Sequence, residues 1–234
     1  MNNSTNNPMQ SKREFYNRPE VANSYDEQRF SGASGAWVNA REIELALSLV
    51  PSFHRALDLG CGTGRLTRSL AERGPTVGMD ASSAMLARAQ ATGAPLVQGD
   101  SFALPFADAS FDAVVALRFF FHFESADALL REIARIVAPR GVVVFDTYLW
   151  SLRAWLPLDR ARWGGGVFVH LPREIEEASR QLGWQVVRHE HSFLFSPYAY
   201  RRLPLAGVRI LSRVEGWLPA RLRARVFWEL ARVD

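Results

Sequence analysis

Hydrophobic and polar positions change their spacing along the chain, and these changes predict the order of its elements. Residues 1–12 are polar and rich in asparagine and serine, so they are predicted to be disordered because they offer almost nothing to bury. Apolar residues in 14–50 recur at every third or fourth position, which predicts two helices joined by the flexible stretch FSGASGA. We therefore expect a helical lid over residues 13–52.

A regular alternation of short apolar runs and helical patterns occupies residues 53–147. Five strands are predicted, at RALDL, TVGMD, PLVQGD, FDAVVAL and VVVFDTY, with helices such as RLTRSLAERG and SADALLREIARIV among them. Strands that alternate with helices at this spacing are typical of a parallel sheet with helices on both faces. The pattern predicts a doubly wound α/β core.

The pattern is less regular in residues 148–234, which we expect to add a substrate cap and the last strands. LWSLRAWLPLDRARWGGGVFVH predicts an excursion over the functional edge of the sheet. LPREIEEASRQLG predicts a helix and WQVVRHEHSFLF a sixth strand. From SPYAYRRLPLAG to RARVFWELARV, the periodicity predicts amphipathic helices with arginine on the solvent face.

Composition is that of one ordinary globular domain. The 234 residues are 48% hydrophobic and 22% charged. No stretch of about 18 apolar residues predicts a membrane span, and the N-terminus lacks the apolar core of a signal peptide. A single cysteine, Cys61, excludes an internal disulfide and a multi-cysteine zinc site. These features predict a cytoplasmic protein without a resident metal.

The positive charge is concentrated near the C-terminus. The formal net charge is +4, and residues 201–234 contain eight arginines against three acidic residues. The rest of the chain is close to neutral, which argues against a nucleic-acid partner. Arginines there alternate with apolar residues, so the segment is predicted to contact an anionic membrane, to cap the domain in solvent, or to form a homodimer contact. A monomer and a homodimer are both compatible with this pattern.

The stretch LDLGCGTG, residues 57–64, joins the first predicted strand to the next helix and indicates a ligand site. Its glycines, Gly60, Gly62 and Gly64, do not match the G-x-G-x-x-G fingerprint of dinucleotide-binding loops. Asp58 also places a carboxylate at the loop entrance, which disfavours a pyrophosphate and favours a cationic ligand.

Acidic residues follow the next two predicted strands. Asp80 ends the second strand, where a carboxylate can accept two hydrogen bonds from a ribose diol. Asp100 and Ser101 end the third strand, where they can receive an adenine amino group. Because ligands of open α/β sheets bind at the carboxyl ends of the strands, these residues predict a ligand with adenosine at one end and an amine or sulfonium at the other.

Four motifs in order, LDLGCGTG, GMD, QGDSFALPFADASFDAVV and LLREIARIVAPRGVVVFD, resemble those of class I S-adenosylmethionine-dependent methyltransferases. The resemblance is strongest to the small-molecule group that includes ubiquinone and menaquinone methyltransferases, and it is dense over residues 55–146. It implies a Rossmann-like, mostly parallel seven-stranded sheet, with S-adenosylmethionine as cofactor and S-adenosylhomocysteine as product. The cofactor-binding residues that follow from it are Tyr25, Asp58, Gly60, Cys61, Gly62, Gly64, Asp80, Ala81, Met85, Asp100, Ser101 and Leu117.

The chemistry that the resemblance implies is the transfer of an activated methyl group, which needs positioning and exclusion of water rather than a metal. The loop after the fourth strand, ALRFFFHF, lacks the Asp/Asn-Pro-Pro-aromatic segment of enzymes that methylate amino groups of nucleic acids. O- or C-methylation is therefore preferred. His122 is the first candidate proton acceptor, with a structural histidine as the alternative, and Arg118 holds either an acidic substrate or a main-chain carbonyl.

Aromatic residues near this loop predict an apolar or aromatic small-molecule substrate. Two other hypotheses stay open: the fold uses the cofactor for non-methylating chemistry such as a cyclisation, or it is a non-catalytic sensor or partner-binding module. The residues predicted to contact the substrate are Phe119, Phe120, Tyr148 and Trp163.

Overall fold

The computed structural model describes residues 8–151, 154 and 166–233, and one seven-stranded sheet organises them. The strand order is β3-β2-β1-β4-β5-β7-β6. The strands are β1 (Ala56–Leu59), β2 (Thr76–Asp80), β3 (Leu96–Gln98), β4 (Phe111–Ala116), β5 (Val137–Tyr148), β6 (Trp184–Ser192) and β7 (Arg225–Arg232).

The sheet is mostly parallel, which confirms the predicted fold class. Strands β1 to β5 pair in parallel, whereas β7 runs antiparallel to both of its neighbours, β5 and β6. The chain order reverses between β1 and β4, so the loops after these two strands diverge and leave a crevice at their carboxyl ends. This is the position at which open α/β sheets bind their ligands.

Helices cover both faces of the sheet, and each face has its own hydrophobic core. Helices α6 and α7 pack on one face, and α3, α4, α8 and α9 pack on the other. None of the helices in the described ranges is long and apolar enough to cross a membrane. The helices are α1 (Pro8–Tyr16), α2 (Pro19–Phe30), α3 (Gly32–Leu49), α4 (Arg65–Ala71), α5 (Ser83–Ala89), α6 (Asp127–Ile136), α7 (Pro172–Gln181), α8 (Pro197–Arg201) and α9 (Leu205–Glu215).

The N-terminal region differs from its prediction in two ways. The prediction of disorder is wrong for residues 8–12, because helix α1 begins at Pro8 and Lys12 is buried. The flexible joint is also wrong, since only Ser31 separates α2 from α3. The glycine-rich stretch stays helical because it is packed: the Ser34 hydroxyl donates to the Leu203 carbonyl at 2.7 Å. Long-range packing therefore overrides the local propensity of this stretch.

The prediction of a helix at RARVFWELARV is wrong, because this segment forms strand β7. Its β-branched and aromatic residues, including Val226, Phe227 and Trp228, are fully buried between the two helical layers. Because helices pack on both faces of the sheet at β7, the strand shows no simple alternation of polar and apolar residues. The arginine at its start, Arg225, is also fully buried, and it is paired with acidic residues.

Candidate active site

A cavity of about 630 Å³ lies at the carboxyl ends of β1, β2 and β4, beneath helices α1 and α2. It contains most of the residues predicted from the sequence. The predicted residues that line it are Tyr25, Asp58, Gly60, Cys61, Gly62, Asp80, Ala81, Met85, Asp100, Ser101, Leu117, Arg118, Phe119 and His122.

The glycine loop after β1 is held against the end of β2. The main-chain N–H groups of Gly60 and Cys61 both donate to the Met79 carbonyl, at 2.8 and 2.9 Å. A Cβ at Gly60 would lie 2.3 Å from the Phe119 ring, whereas a Cβ at Gly62 would meet no protein atom within 4 Å. Gly60 therefore permits the packing of Phe119, and Gly62 leaves room for a ligand above the loop.

Gly64, the third predicted glycine of the loop, does not line the cavity. A Cβ there would lie 2.5 Å from Cγ2 of Thr92 and 3.2 Å from Cβ of Ala89, and the residue has a φ of +82°. The third glycine is thus required for the turn into α4 and for its close packing near the end of α5. Its assignment to the cofactor stays a prediction.

Asp80 fixes the glycine loop as well as facing the cavity. Its Oδ2 accepts from the Gly62 N–H at 2.9 Å, and its Oδ1 accepts from the Ser82 N–H at 2.8 Å. Burial raises the pKa of Asp80, while these N–H donors act in the opposite direction. Each carboxylate oxygen has further lone-pair capacity, so the group can also accept hydrogen bonds from a vicinal diol in the cavity.

Asp58 is a buried carboxyl at the base of the same loop. Its Oδ2 accepts from the Thr67 hydroxyl at 2.6 Å. Burial raises the pKa of Asp58 to about 7, although the Thr67 hydrogen bond and the Arg65 guanidinium oppose this shift. A nearby cation favours the ionised form of such a carboxyl, so the site is suited to an ammonium group.

The pKa of Asp58 predicts a pH-dependent affinity for a ligand with an ammonium group. Affinity will rise as pH increases from about 5.5 to 7.5, by at most about tenfold per pH unit, because the ionised carboxylate binds the cation. Calorimetric titration with S-adenosylhomocysteine across this range measures the slope. Asp58→Asn will remove it, and an equally steep slope in that variant would contradict the assignment.

The same carboxyl affects the stability of the fold. Its folded pKa of about 7 lies above the ordinary value of 3.8. Proton binding by Asp58 therefore stabilises the fold fully below about pH 4, and this contribution is lost as pH rises through 7. Binding of a cationic ligand offsets that loss, because it stabilises the ionised form.

Helices α1 and α2 place two tyrosines over the cavity, and Tyr25 is one of the predicted cofactor residues. The ring centroids of Tyr16 and Tyr25 are 6.2 Å apart, and the Arg29 guanidinium lies 3.8 Å from the Tyr25 ring centroid. Burial raises the pKa of Tyr25, but Arg29, Arg118 and Arg65 outweigh it and lower the pKa overall. The neighbouring arginines thus favour negative charge on the hydroxyl oxygen of Tyr25, which lines the cavity.

Both candidate catalytic residues lie in the cavity wall. Arg118 has a φ of +60°, and its guanidinium forms an ion pair with Glu42 at 3.0 Å, so its charge is matched within the protein. His122 belongs to a short 3-10 turn, and its ring centroid lies 5.8 Å from that of Tyr16. The Lys12 ammonium donates to the His122 carbonyl at 2.5 Å, which ties this turn to α1.

Two of the predicted substrate residues lie outside the cavity. Phe120 is fully buried and stacks on Phe145 with 4.0 Å between ring centroids, because the 3-10 turn directs it into the core. Tyr148 packs against Phe121, at 4.8 Å between centroids. The substrate assignments of Phe120 and Tyr148 therefore stay predictions that the cavity lining does not support, and Trp163 lies outside the described residues.

Several cavity residues have no signature in the sequence. Lys12 lies in a segment predicted to be disordered, and the carboxamide of Asn17 accepts a hydrogen bond from the Ser83 hydroxyl at 2.9 Å. The Thr63 hydroxyl of the glycine loop donates to Asp26 of α2 at 2.9 Å. These contacts join elements far apart in the chain, so only the assembled fold brings them together. Among the described residues, no group of three or more His, Cys, Asp or Glu could hold a metal ion.

Known proteins share both the sequence motifs and the fold of this chain. The methyltransferase-domain family matches residues 57–145. A demethylmenaquinone methyltransferase of Roseiflexus castenholzii is 33% identical over 192 residues, which are 78% of each chain. The chain belongs to the class I S-adenosylmethionine-dependent methyltransferases. This methyltransferase matches a Thermus thermophilus demethylmenaquinone methyltransferase at 39% identity over 48% of its own length and 54% of the relative.

The comparison with solved structures agrees at the level of the fold. The phosphoethanolamine N-methyltransferase 2 of Haemonchus contortus, in complex with S-adenosylmethionine, superposes with a TM-score of 0.69 at 18% identity. The match covers 95% of this methyltransferase and 60% of that chain. The cofactor is S-adenosylmethionine, and the cavity fits it: open space above Gly62, a carboxyl suited to an ammonium group at Asp58, and an acceptor for a diol at Asp80.

Proposed function

We propose that this methyltransferase transfers a methyl group to oxygen or carbon of a small apolar or aromatic metabolite. The residues that line the cavity support the proposal. Acidic residues at the ends of β1, β2 and β3 line the cavity, and so do aromatic residues, which we term the aromatic wall. Aromatic rings pack well against a planar, apolar ligand, and they also attract a cation bound nearby. The aromatic wall consists of Tyr16, Tyr25, Phe119 and Phe123.

Each part of the cavity has a defined task in the proposed reaction. S-adenosylmethionine, when bound, supplies a methyl group that its sulfonium has already activated. Asp58 holds the ammonium group, Asp80 accepts hydrogen bonds from the ribose, and Met85 packs against the adenine. Tyr25 and Phe119 exclude water from the reacting atoms. Where the acceptor is a hydroxyl, His122 takes its proton while the oxygen–methyl bond forms and the sulfur–methyl bond breaks.

Product analysis tests this function against its alternatives. Purified protein is incubated with S-adenosylmethionine and a panel of quinols, phenols and other aromatic metabolites. We expect S-adenosylhomocysteine to form in equal amount to a product heavier by one methylene unit. Turnover of a substrate without either change would favour cyclisation, and cofactor binding without turnover across a broad panel would favour a sensor.

An exposed surface that extends from the end of α8 over α9 to the following turn is suited to contact a further partner. This surface, termed the basic patch, contains a tryptophan that is 87% exposed and an isoleucine that is 59% exposed. Helix α8 packs on α2, which covers the cavity, and on α3, and helix α9 packs on α3. We propose that the basic patch contacts an anionic lipid surface and brings the cavity close to apolar substrates. Its residues are Arg202, Leu203, Arg209, Ile210, Arg213, Trp217, Arg221 and Leu222.

Vesicle binding tests the basic patch. The protein will bind vesicles of phosphatidylglycerol more strongly than vesicles of phosphatidylcholine, and raised salt will weaken this binding because it screens the arginines. Trp217→Ser will reduce flotation with anionic vesicles several-fold. Leu171→Ser is the matched control, since Leu171 is 53% exposed at the start of α7, on the opposite face of the sheet. Concentration-dependent dimerisation that Trp217→Ser abolishes, without vesicle binding, would contradict the lipid proposal.

A further inference from the structure

Glu42, in the middle of α3, is a fully buried carboxylate that contacts three arginines. Its Oε1 pairs with Nη1 of Arg118 at 3.0 Å and with Nη1 of Arg225. Its Oε2 lies 3.6 Å from Nη2 of Arg65. One side chain of the helical lid is thus the common partner of three cations from distant parts of the chain.

Two of these arginines belong to the segments that build the cofactor site. Arg65 is the first residue of α4, directly after the glycine loop, and Arg118 follows β4 at the opposite side of the crevice. Both line the cavity. Glu42 therefore bridges the two loops between which the cofactor lies.

The third arginine anchors this bridge to the sheet. Arg225 of β7 donates to Oδ2 of Asp146 in β5 from Nε at 3.0 Å and from Nη2 at 2.5 Å. Asp146 also accepts the main-chain N–H of Arg118 through Oδ1. The backbone after β4 is thereby held in the left-handed conformation that Arg118 adopts, with a φ of +60°.

Electrostatics make the bridge depend on charge. Burial raises the pKa of Glu42, but Arg118, Arg225 and Arg65 outweigh it and lower the pKa to about 2. The three arginines therefore keep the carboxylate ionised at neutral pH. Without its charge, the cations of Arg65 and Arg118 would repel each other in a poorly hydrated environment, and the two loops would separate.

We propose that Glu42 is a positioning residue, which holds the glycine loop and the loop after β4 at the separation that the cofactor requires. The inference rests on the cofactor site of the proposed function, and it is independent of which methyl acceptor is used. Glu42 itself does not line the cavity, so it acts through Arg65 and Arg118.

Binding of S-adenosylhomocysteine to Glu42→Gln tests the proposal. Glutamine keeps the shape of the side chain and removes its charge. We expect the dissociation constant, measured by calorimetry at a temperature at which circular dichroism shows the variant folded, to rise at least tenfold. Glu44→Gln is the matched control on the same helix, because Glu44 is 68% exposed and pairs only with Arg41 among the described residues. A folded Glu42→Gln protein with unchanged affinity would overturn the proposal.

A second variant decides the case in which Glu42→Gln does not fold. Arg65→Met removes the longest of the three ion pairs and leaves Glu42, Arg118, Arg225 and Asp146 in contact. It will weaken S-adenosylhomocysteine binding, and Arg65→Lys will restore part of it; unchanged affinity in Arg65→Met would overturn the proposal.

The combination of both substitutions separates positioning from direct contact. If Arg65 acts through Glu42, the double variant will bind no more weakly than Glu42→Gln alone, since both changes break one link. Additive losses would mean that Arg65 contacts the cofactor independently, which contradicts the proposed bridge. Failure of the wild-type protein to bind S-adenosylhomocysteine would instead overturn the proposed function, so the two failures are distinguishable.

Discussion

Asp80→Ala will weaken the binding of S-adenosylmethionine by about 2–3 kcal/mol, a loss of roughly 30- to 150-fold in affinity. The substitution removes the acceptor for the ribose hydroxyls. It also leaves the N–H groups of Gly62 and Ser82 without the carboxylate that they contact at 2.9 and 2.8 Å. The glycine loop therefore loses its fixed position at the same time as the ligand loses its partner.

The measurement is calorimetric titration of the folded variant with S-adenosylhomocysteine. Asp80→Asn serves as the comparison, because it keeps one carbonyl acceptor and will lose less affinity than the alanine variant. Asp108→Ala is a control on an exposed carboxylate that lies away from the cavity and pairs with Arg135. Equal affinity in Asp80→Ala and the wild-type protein would show that this carboxylate does not bind the nucleoside.

Arg225→Met will destabilise the fold by about 3–5 kcal/mol, since it leaves the buried carboxylate of Asp146 without its ion-pair partner and Glu42 with only Arg118 and Arg65. Arg225 is fully buried and contacts both acids. Methionine fills a similar volume, so the loss reflects the uncompensated charges more than a cavity. Against a typical unfolding free energy of about 5–15 kcal/mol, such a change removes a large share of the stability.

Urea denaturation followed by circular dichroism gives the free energy of unfolding for this comparison. Arg221→Met is the matched control, because Arg221 is exposed in the turn just before β7, and its replacement will change stability by less than about 0.5 kcal/mol. A loss in Arg225→Met no larger than in that control would mean that the buried acids are satisfied without Arg225.

The parallel part of the fold was predictable because its determinants are local. The runs that become β1, β2 and β4 are short, apolar and followed by turns, and the loop LDLGCGTG places its glycines at fixed offsets from β1. Asp80 could be identified because a strand and a turn fix its position without help from distant residues. The cofactor half of the cavity follows from this local order.

The predicted site residues that lie outside the cavity are ones whose conformation depends on a distant neighbour. Gly64 has the spacing of a ligand-binding glycine, yet Thr92 and Ala89 determine its conformation and packing. Phe120 lies within a run of aromatic residues, but the 3-10 turn directs its ring to Phe145 rather than to the cavity. Residue type and spacing could not separate these alternatives.

The misprediction of β7 has the same origin. Arginines at both of its ends resemble the solvent face of a helix, and nothing nearby in the chain reveals that Arg225 meets Glu42, 183 residues away. For the same reason Glu42 was not a candidate site residue, since an acidic residue within an amphipathic helix is usually exposed. Buried charge networks of this kind are visible only in the assembled fold.

The placement of β7 also sets the order in which the protein can mature during synthesis. β7 leaves the ribosome after the other six strands that the structure describes, yet it lies between β5 and β6, which do not pair with each other. A nascent chain that stops short of residue 225 can assemble the parallel strands, but Asp146 then lacks the Arg225 guanidinium, while Glu42 keeps Arg118 and Arg65. The ion-pair network around Arg118 is therefore completed only when β7 enters between β5 and β6.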